Sequence, residues 1–233
     1  MSAKRGRMLL LLLAGFFGVP AWATTVILLY TPDAVYIAAD SKVGSLDGAI
    51  TGQGCKVHVS KNYVWAAAGL FSESNGPFDL EKIVSKSLEG GQAPGPDADR
   101  LESDLGAAFR DVAARAIPQA GGSGKVRIEI ALASVKKVGR VSSIFLNMET
   151  VQRRDCPGKE CGGLGVITLG EHGTVDRILD ARHSIWKEMG IAGALNYLLA
   201  EQAKSTPLYV SAPFAIVRVD RAGAQWLQKG SCH

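Results

Sequence analysis

One threonine near the start of the chain has the surroundings of a self-contained nucleophile. Thr24 follows Ala21–Trp22–Ala23, a small-residue ending that is typical of a site cut during protein export. A cut there would make Thr24 the first residue and place a free α-amino group beside its own hydroxyl. An α-amino group has a reference pKa near ~8, so it can accept the hydroxyl proton and activate an otherwise weak nucleophile.

Two further residues supply the charges that such a nucleophile needs. A nearby cation keeps the amine unprotonated and stabilises the alkoxide that forms, and a carboxylate holds the cation in place. Asp40 lies sixteen residues after Thr24, and Lys56 lies thirty-two residues after it. Asp40 ends the second predicted strand and Lys56 begins the fourth, so a meander of strands can bring both to Thr24. The three residues predict a nucleophile with a supporting ion pair.

The start of the chain has the three parts of a secretory signal peptide. Three basic residues stand among the first seven, an eleven-residue apolar run covers 8–18, and the Ala-x-Ala ending follows. The run is too short for a lasting bilayer span, and an uncleaved membrane anchor is the alternative interpretation. We therefore expect residues 1–23 to be removed and residues 24–233 to be exported, either to a periplasm or to the outside, without a lasting anchor.

The charge balance argues against a nucleic-acid partner. The 233 residues include 26 basic and 22 acidic side chains, which give a formal net charge of +4. Three of the basic residues belong to the predicted signal peptide, so the remainder is nearly neutral and lacks the basic excess that nucleic-acid binding requires. The contents of 47% hydrophobic and 21% charged residues are those of an ordinary globular chain.

The elements that must position the three residues are short strands interrupted by helices. Runs of β-prone apolar residues predict strands, and apolar residues at helical spacing predict helices. The predicted strands are 24–31, 34–39, 49–51, 56–59, 63–68, 126–135, 142–151, 165–169, 214–219 and 225–227. The predicted helices are 77–89, 97–117 and 183–204. No linker is long enough to separate domains, so we expect a single α+β domain over 24–233.

The four cysteines all lie in the part that we expect to be exported, where disulfides can form. Cys156 and Cys161 close a short loop, so a local disulfide between them is favoured, and Cys55 and Cys232 then pair with each other or stay free. A metal site built on Cys-x4-Cys is the weaker alternative, because no second pair of ligands has suitable spacing. We expect neither a metal nor another cofactor.

Four segments of the chain match one protein family at fixed spacing. Thr24–Thr25 opens a strand, Asp40–Ser41 and Lys56 follow at sixteen and thirty-two residues, and Ala66–Gly69 forms a turn. In these places the chain resembles the proteasome β-subunit family of N-terminal-nucleophile hydrolases, and it is similar to the bacterial peptidase ring subunit that pairs with an ATP-driven unfoldase. The resemblance implies a four-layer αββα sandwich. Ring assembly is typical of the family, so the resemblance also raises a homo-oligomer without demonstrating a ring.

The resemblance implies a role for each matching residue. Thr24 would be the nucleophile, with its own amine as the base. Lys56 would tune the pKa of that pair, and Asp40 would form a salt bridge with Lys56. The backbone N–H of Gly69 would stabilise the oxyanion.

Residues around the reacting groups match the family only in part. Ser211 matches a serine that supports the N-terminal amine, and Thr25 and Ser41 would support the site as neighbours of Thr24 and Asp40. Glu171 and Leu208 stand where the family has a serine and an aspartate. These departures leave open whether the amine is positioned differently or whether the protein is inactive.

Together these patterns predict an exported threonine peptidase or amide hydrolase that forms an acyl ester on Thr24 and acts on a peptide or amide substrate. The alternatives are an inactive proteasome-like scaffold or binding protein and an amidase for small molecules.

Two nearby residues receive ordinary structural interpretations. We expect Lys42 to be a solvated turn residue and His58 to be a partly buried structural histidine, although His58 shares a predicted strand face with Lys56.

Overall fold

A computed structural model describes residues 24–44, 50–72, 76–90, 96–120, 127–137, 140–147, 150–157 and 163–232. The predicted signal peptide over residues 1–23 and the residue Cys161 lie outside these ranges. Within them, no helix combines the length and the apolar character needed to cross a membrane.

The described residues form twelve strands and four helices that alternate much as the sequence predicts. The strands are β1 (Thr25–Tyr30), β2 (Val35–Ala39), β3 (Lys42–Gly44), β4 (Ile50–Gln53), β5 (Val57–Val59), β6 (Tyr63–Gly69), β7 (Ile128–Ser134), β8 (Arg140–Leu146), β9 (Val151–Pro157), β10 (Gly165–Gly170), β11 (Ala215–Asp220) and β12 (Gly223–Gln228). The helices are α1 (Leu80–Ser87), α2 (Pro96–Ala120), α3 (Gly173–Ala181) and α4 (Ile185–Ser205).

Two five-stranded antiparallel sheets carry the fold, and β3 and β4 form a separate two-stranded ribbon. The first sheet has the order β10-β1-β2-β11-β12, so the N-terminal hairpin lies at its centre, and the second has the order β5-β6-β7-β8-β9. The central position explains the composition of β1: Val26, Ile27, Leu28 and Leu29 have no exposed surface, as a strand covered on both faces requires.

Three apolar clusters show how the sheets and helices pack. One cluster joins the second sheet to α1 and α2, and another joins the first sheet to α3 and α4. The third contains residues of both sheets, including Leu28 and Ile37 from the first and Val64 and Ala131 from the second. The two sheets therefore pack face to face and share a core of small and branched side chains.

Several element predictions differ from the structure. The strand predicted over 142–151 is two strands, β8 and β9, because Asn147 and Thr150 exchange hydrogen bonds that turn the chain. The sequence pattern does not indicate helix α3, and Lys42 belongs to β3 rather than to a solvated turn. Helix α4 contains a break at Gly190, whose φ of 68° lies outside the helical region.

Of the two outcomes left open for Cys55 and Cys232, the structure shows the paired one, while the favoured Cys156–Cys161 pairing involves a residue outside the described ranges. Cys55 forms a disulfide with Cys232, and this bond joins the segment before β5 to the C-terminal end across 177 residues. Cys156 is also disulfide-bonded. Sequence spacing alone could not indicate the first pairing, because nothing in the chain shows that β5 and the C-terminal end are neighbours until the two sheets are packed together.

Candidate active site

The N-terminal hairpin places Asp40 beside Thr24. Strands β1 and β2 pair from Val26 opposite Ala39, and the backbone N–H of Asp40 donates to the carbonyl of Thr25 at 3.2 Å. Asp40 therefore stands at the end of the hairpin where β1 begins. The short Pro32–Asp33 turn fixes this register, so a separation of sixteen residues becomes a direct neighbour contact.

Asp40 is a buried carboxylate that is surrounded by donors. Its Oδ1 accepts from the backbone N–H of Thr25 at 2.9 Å and from Lys56 Nζ at 3.2 Å. Its Oδ2 accepts from the backbone N–H of Lys42 at 2.9 Å and from that of Ser211 at 3.4 Å. Burial raises the pKa of Asp40, while Lys56 and the backbone donors oppose that shift. The four donors fix the orientation of the carboxylate.

Lys56 lies between Asp40 and Thr24. It immediately precedes β5, and its Nζ donates both to Asp40 and to the hydroxyl Oγ1 of Thr24. Only 7% of its side chain is exposed. Burial lowers the pKa of Lys56, and the charge of Asp40 opposes this shift. The disulfide at Cys55 anchors the residue directly before it.

The backbone of Thr24 is held from the opposite direction by the turn after β10. The N–H of Glu171 donates to the carbonyl of Thr24 at 2.8 Å, and the hydroxyl of Thr25 donates to the carbonyl of Glu171. Gly170 comes so close that a Cβ on it would lie 1.9 Å from the carbonyl oxygen of Thr24. Glu171 thus contacts Thr24 and Thr25 through its backbone.

Ser41 and Ser211 contact each other beside Asp40. The backbone N–H and the hydroxyl of Ser41 both approach the carbonyl of Ser211, at 3.3 and 3.5 Å. Through its own N–H, Ser211 also reaches Asp40. Leu208 does not take part in this contact. Its side chain is apolar and 63% of the residue is exposed to solvent, so it supplies no polar group to the site.

Gly69 ends β6 at the same end of the two packed sheets. Its φ is +97°, and a Cβ on it would lie 2.1 Å from the carbonyl oxygen of Arg127, so the position requires glycine. The preceding residue, Ala68, lies next to Gly170: a Cβ on Gly170 would come within 3.0 Å of the Ala68 methyl group. Gly69 is therefore close in the fold to the segment that holds Thr24.

His58 does not join this group of residues. Its ring stacks on Trp65 with ring centroids 4.1 Å apart, and its Nδ1 lies 3.5 Å from Glu81 of α1. Trp65 belongs to the cluster between the second sheet and the helices. Among the residues that the structure describes, no group of three or more His, Cys, Asp or Glu residues is placed to hold a metal ion.

The arrangement of Thr24, Lys56 and Asp40 is suited to nucleophilic chemistry. A buried cation that donates to a hydroxyl stabilises the oxygen as it loses its proton, and water is largely excluded from the pair. The geometry brings together all three residues that the sequence spacing singles out. It also shows one residue that the sequence analysis missed: Glu129, an acidic residue within the apolar strand β7, whose carboxylate accepts from the backbone N–H of Gly170 at 3.0 Å.

Comparisons with known proteins place the fold. No family model matches the chain, and no curated protein matches it in sequence. Solved structures do match. Anbu from Hyphomicrobium sp. strain MC1 is 17% identical with a TM-score of 0.53, and the alignment covers 88% of this chain and 85% of that one. Anbu (ancestral beta-subunit) from Yersinia bercovieri is 13% identical, with a TM-score of 0.51 and coverages of 88% and 87%.

HslV from Trypanosoma brucei is similar over 84% of this chain and 99% of its own, at 11% identity and a TM-score of 0.51. The chain has a proteasome-like fold. At such identities the likeness concerns the fold alone.

Proposed function

We propose that the protein is an exported N-terminal threonine hydrolase of four-layer αββα architecture that cleaves peptide or amide bonds through an acyl ester on Thr24. One observation carries the proposal: Lys56 Nζ bridges the Thr24 hydroxyl and the buried Asp40 carboxylate. The three apolar clusters of helices, sheets and helices support the architecture. The predicted export cut would add the free amine that this constellation needs as its base.

The reaction begins with proton transfer. The free α-amine of Thr24 takes the proton of Oγ1, directly or through a water, while Lys56 stabilises the developing negative charge on that oxygen. Oγ1 then attacks the substrate carbonyl carbon, and the backbone N–H of Gly69 donates to the oxyanion. The protonated α-amine returns its proton to the leaving amine as the C–N bond breaks, which leaves an ester on Thr24.

Water completes the cycle. The α-amine takes a proton from a water molecule, the resulting hydroxide attacks the ester carbon, and Oγ1 leaves with the proton that the amine returns. Asp40 keeps Lys56 in place and stabilises its positive charge throughout. The backbone contacts from Glu171 and Ser211 keep Thr24 and Asp40 in register.

The test has two stages. The exported protein is purified and its N-terminus is sequenced, and it is then treated with a threonine-directed electrophile and examined by mass spectrometry. We expect a chain that begins at Thr24 and one adduct on that residue, which Thr24→Ala abolishes while Thr31→Ala, another threonine at the first sheet, retains it. A mature chain that starts elsewhere, or the absence of an adduct, would contradict the proposal.

The second candidate is an inactive proteasome-like scaffold or binding protein. It is favoured by the exposed Leu208 and by Glu171, which stand where the resembled family supports its amine with side chains. A correctly processed chain that gives no adduct would support it. If the adduct forms, comparing hydrolysis of a peptide library with hydrolysis of small acyl amides separates a peptidase from a small-molecule amidase.

A further inference from the structure

Glu129 is a buried carboxylate that the proposed reaction does not use. It lies in β7 opposite Ala68 of β6, and 8% of its side chain is exposed. Its neighbours Ile128 and Ile130 belong to the cluster against α1 and α2. Because successive side chains of a strand alternate, Glu129 faces the other way, toward the first sheet.

Both oxygens of the Glu129 carboxylate have partners. Oε1 forms an ion pair with Arg127 Nε at 3.0 Å, and Oε2 accepts from the backbone N–H of Gly170 at 3.0 Å. A carboxylate in a core is costly unless it is paired and hydrogen-bonded, and an apolar residue of similar size is often at least as stable. The contact with Gly170 therefore points to a use beyond packing.

Gly170 connects Glu129 to the nucleophile. With φ at +75° and no room for a Cβ, this residue has no side chain to hold its backbone in place. Its N–H is fixed by Glu129, and the next N–H along the chain, that of Glu171, donates to the Thr24 carbonyl. A path of two hydrogen bonds thus runs from the second sheet to the backbone of Thr24.

We propose that Glu129 is a positioning residue for Thr24. Its carboxylate fixes the Leu169–Gly170 peptide through the N–H of Gly170. Gly170 passes this constraint to the next peptide, Gly170–Glu171, whose N–H sets the orientation of the Thr24 backbone and hence the direction of the amine and Oγ1. The proposal rests on the proposed function, since it assigns Glu129 a part in aligning that nucleophile. This role also explains how Thr24 is held although Glu171 and Leu208 replace the serine and the aspartate of the resembled family. The support comes instead from Glu129 on β7.

The experiment separates the reach of the side chain from its charge. Glu129→Gln keeps an oxygen at the same distance but loses the charge, Glu129→Asp keeps the charge but shortens the reach, and Glu129→Leu loses both. The matched control is Asp97→Leu, because Asp97 is another buried carboxylate. It accepts a hydrogen bond from Tyr63 of β6 and forms an ion pair with Arg100 of α2. The readouts are the second-order rate of Thr24 labelling by the electrophile, kcat and KM on one peptide, and thermal unfolding.

We expect Glu129→Leu to label about 10- to 100-fold more slowly than wild type, with kcat reduced and KM nearly unchanged, because misalignment by a fraction of an ångström is costly in acyl transfer. Glu129→Gln should stay within about threefold of wild type, and Glu129→Asp should be slower than Glu129→Gln. Asp97→Leu should lose thermal stability but label at the wild-type rate.

The outcomes are distinct. Equal labelling of Glu129→Leu and wild type, or a loss in Asp97→Leu as large as that in Glu129→Leu, would overturn the positioning role. If Glu129→Leu does not fold, the order of the Gln and Asp variants decides, since only a positioning role makes reach matter more than charge. A wild-type protein that gives no adduct contradicts the proposed function instead.

Discussion

Thr24 is held from two sides that differ in kind. On one side, charged side chains act: Lys56 donates to the hydroxyl, and Asp40 holds Lys56. On the other side, backbone groups act: the N–H of Glu171 donates to the Thr24 carbonyl, and Gly170 lies against it. The first side depends on residue type at every position, whereas on the second side only Gly170 is restricted in type and the contact from residue 171 requires no particular side chain.

This difference explains why the sequence matches the resembled family on one side only. Any residue except proline can offer a backbone N–H, so residue 171 is free to be a glutamate where the family has a serine. A buried ion pair has no such freedom, because removing one partner leaves the other charge unpaired. A departure at a backbone-contact position therefore says little about loss of activity.

The largest effect is expected on the charged side. In Lys56→Met the hydroxyl loses its donor and Asp40 loses its counter-ion, so kcat/KM should fall by about 1,000-fold. Steady-state hydrolysis of a peptide substrate measures this loss. The control is Lys61→Met, which removes an exposed lysine in the turn after β5. A Lys56→Met protein that folds and retains more than a tenth of its activity would show that the charged side is dispensable.

The next effect tests the backbone side directly. Glu171→Pro removes the N–H that donates to the Thr24 carbonyl, and we expect labelling of Thr24 to slow by about 100-fold. Glu171→Ala keeps that N–H and should stay within about twofold of wild type. If the two variants lose activity equally, the carboxylate of Glu171 matters and the two sides are not different in kind.

A smaller effect concerns pH. Lys56 must keep its proton to donate to Oγ1, so activity falls as the pH rises through the Lys56 pKa. Burial lowers this pKa, and the charge of Asp40 opposes the shift. Asp40→Asn removes the opposing charge, so the alkaline limb of the pH profile of kcat/KM should move to lower pH by about one unit or more. If the alkaline limb of Asp40→Asn lies at the same pH as that of wild type, a group other than Lys56 controls it.

The smallest effect is expected at Leu208. Because 63% of this residue is exposed, Leu208→Asp places a carboxylate in solvent rather than beside the amine. Its kcat/KM should stay within about twofold of wild type. A gain of tenfold or more would mean that the support used by the resembled family can be restored here, and that the backbone side is a weaker substitute for it.

The parts of the fold that the sequence could predict are local. The tight turn between β1 and β2 brings Asp40 to Thr24 at a separation of sixteen residues. The spacing of thirty-two residues in the resembled family indicates Lys56, which reaches both of them from the second sheet. The amphipathic pattern also predicted α1 and α2 within a few residues. The hairpin and the two helices depend on neighbours along the chain.

The parts that the sequence could not predict depend on contacts between distant strands. Glu129 and Gly170 are 41 residues apart in the chain, and they meet only because β7, in the middle of the second sheet, packs against β10, at the edge of the first. The Cys55–Cys232 bond spans 177 residues and has the same origin. Helix α3 begins after His172 without a side-chain cap, so the usual sequence marker of a helix start is absent there.

Gly69 and Gly170 also determine how the protein can change over evolutionary time. Each is pressed against a backbone carbonyl, that of Arg127 in one case and that of Thr24 in the other, and backbone atoms cannot move aside as a flexible side chain can. Every codon change that alters either glycine therefore strains the chain close to Thr24, the proposed nucleophile. In a complete single-substitution survey scored for activity, we expect both positions to be as intolerant as Thr24 itself, although neither contributes a side chain.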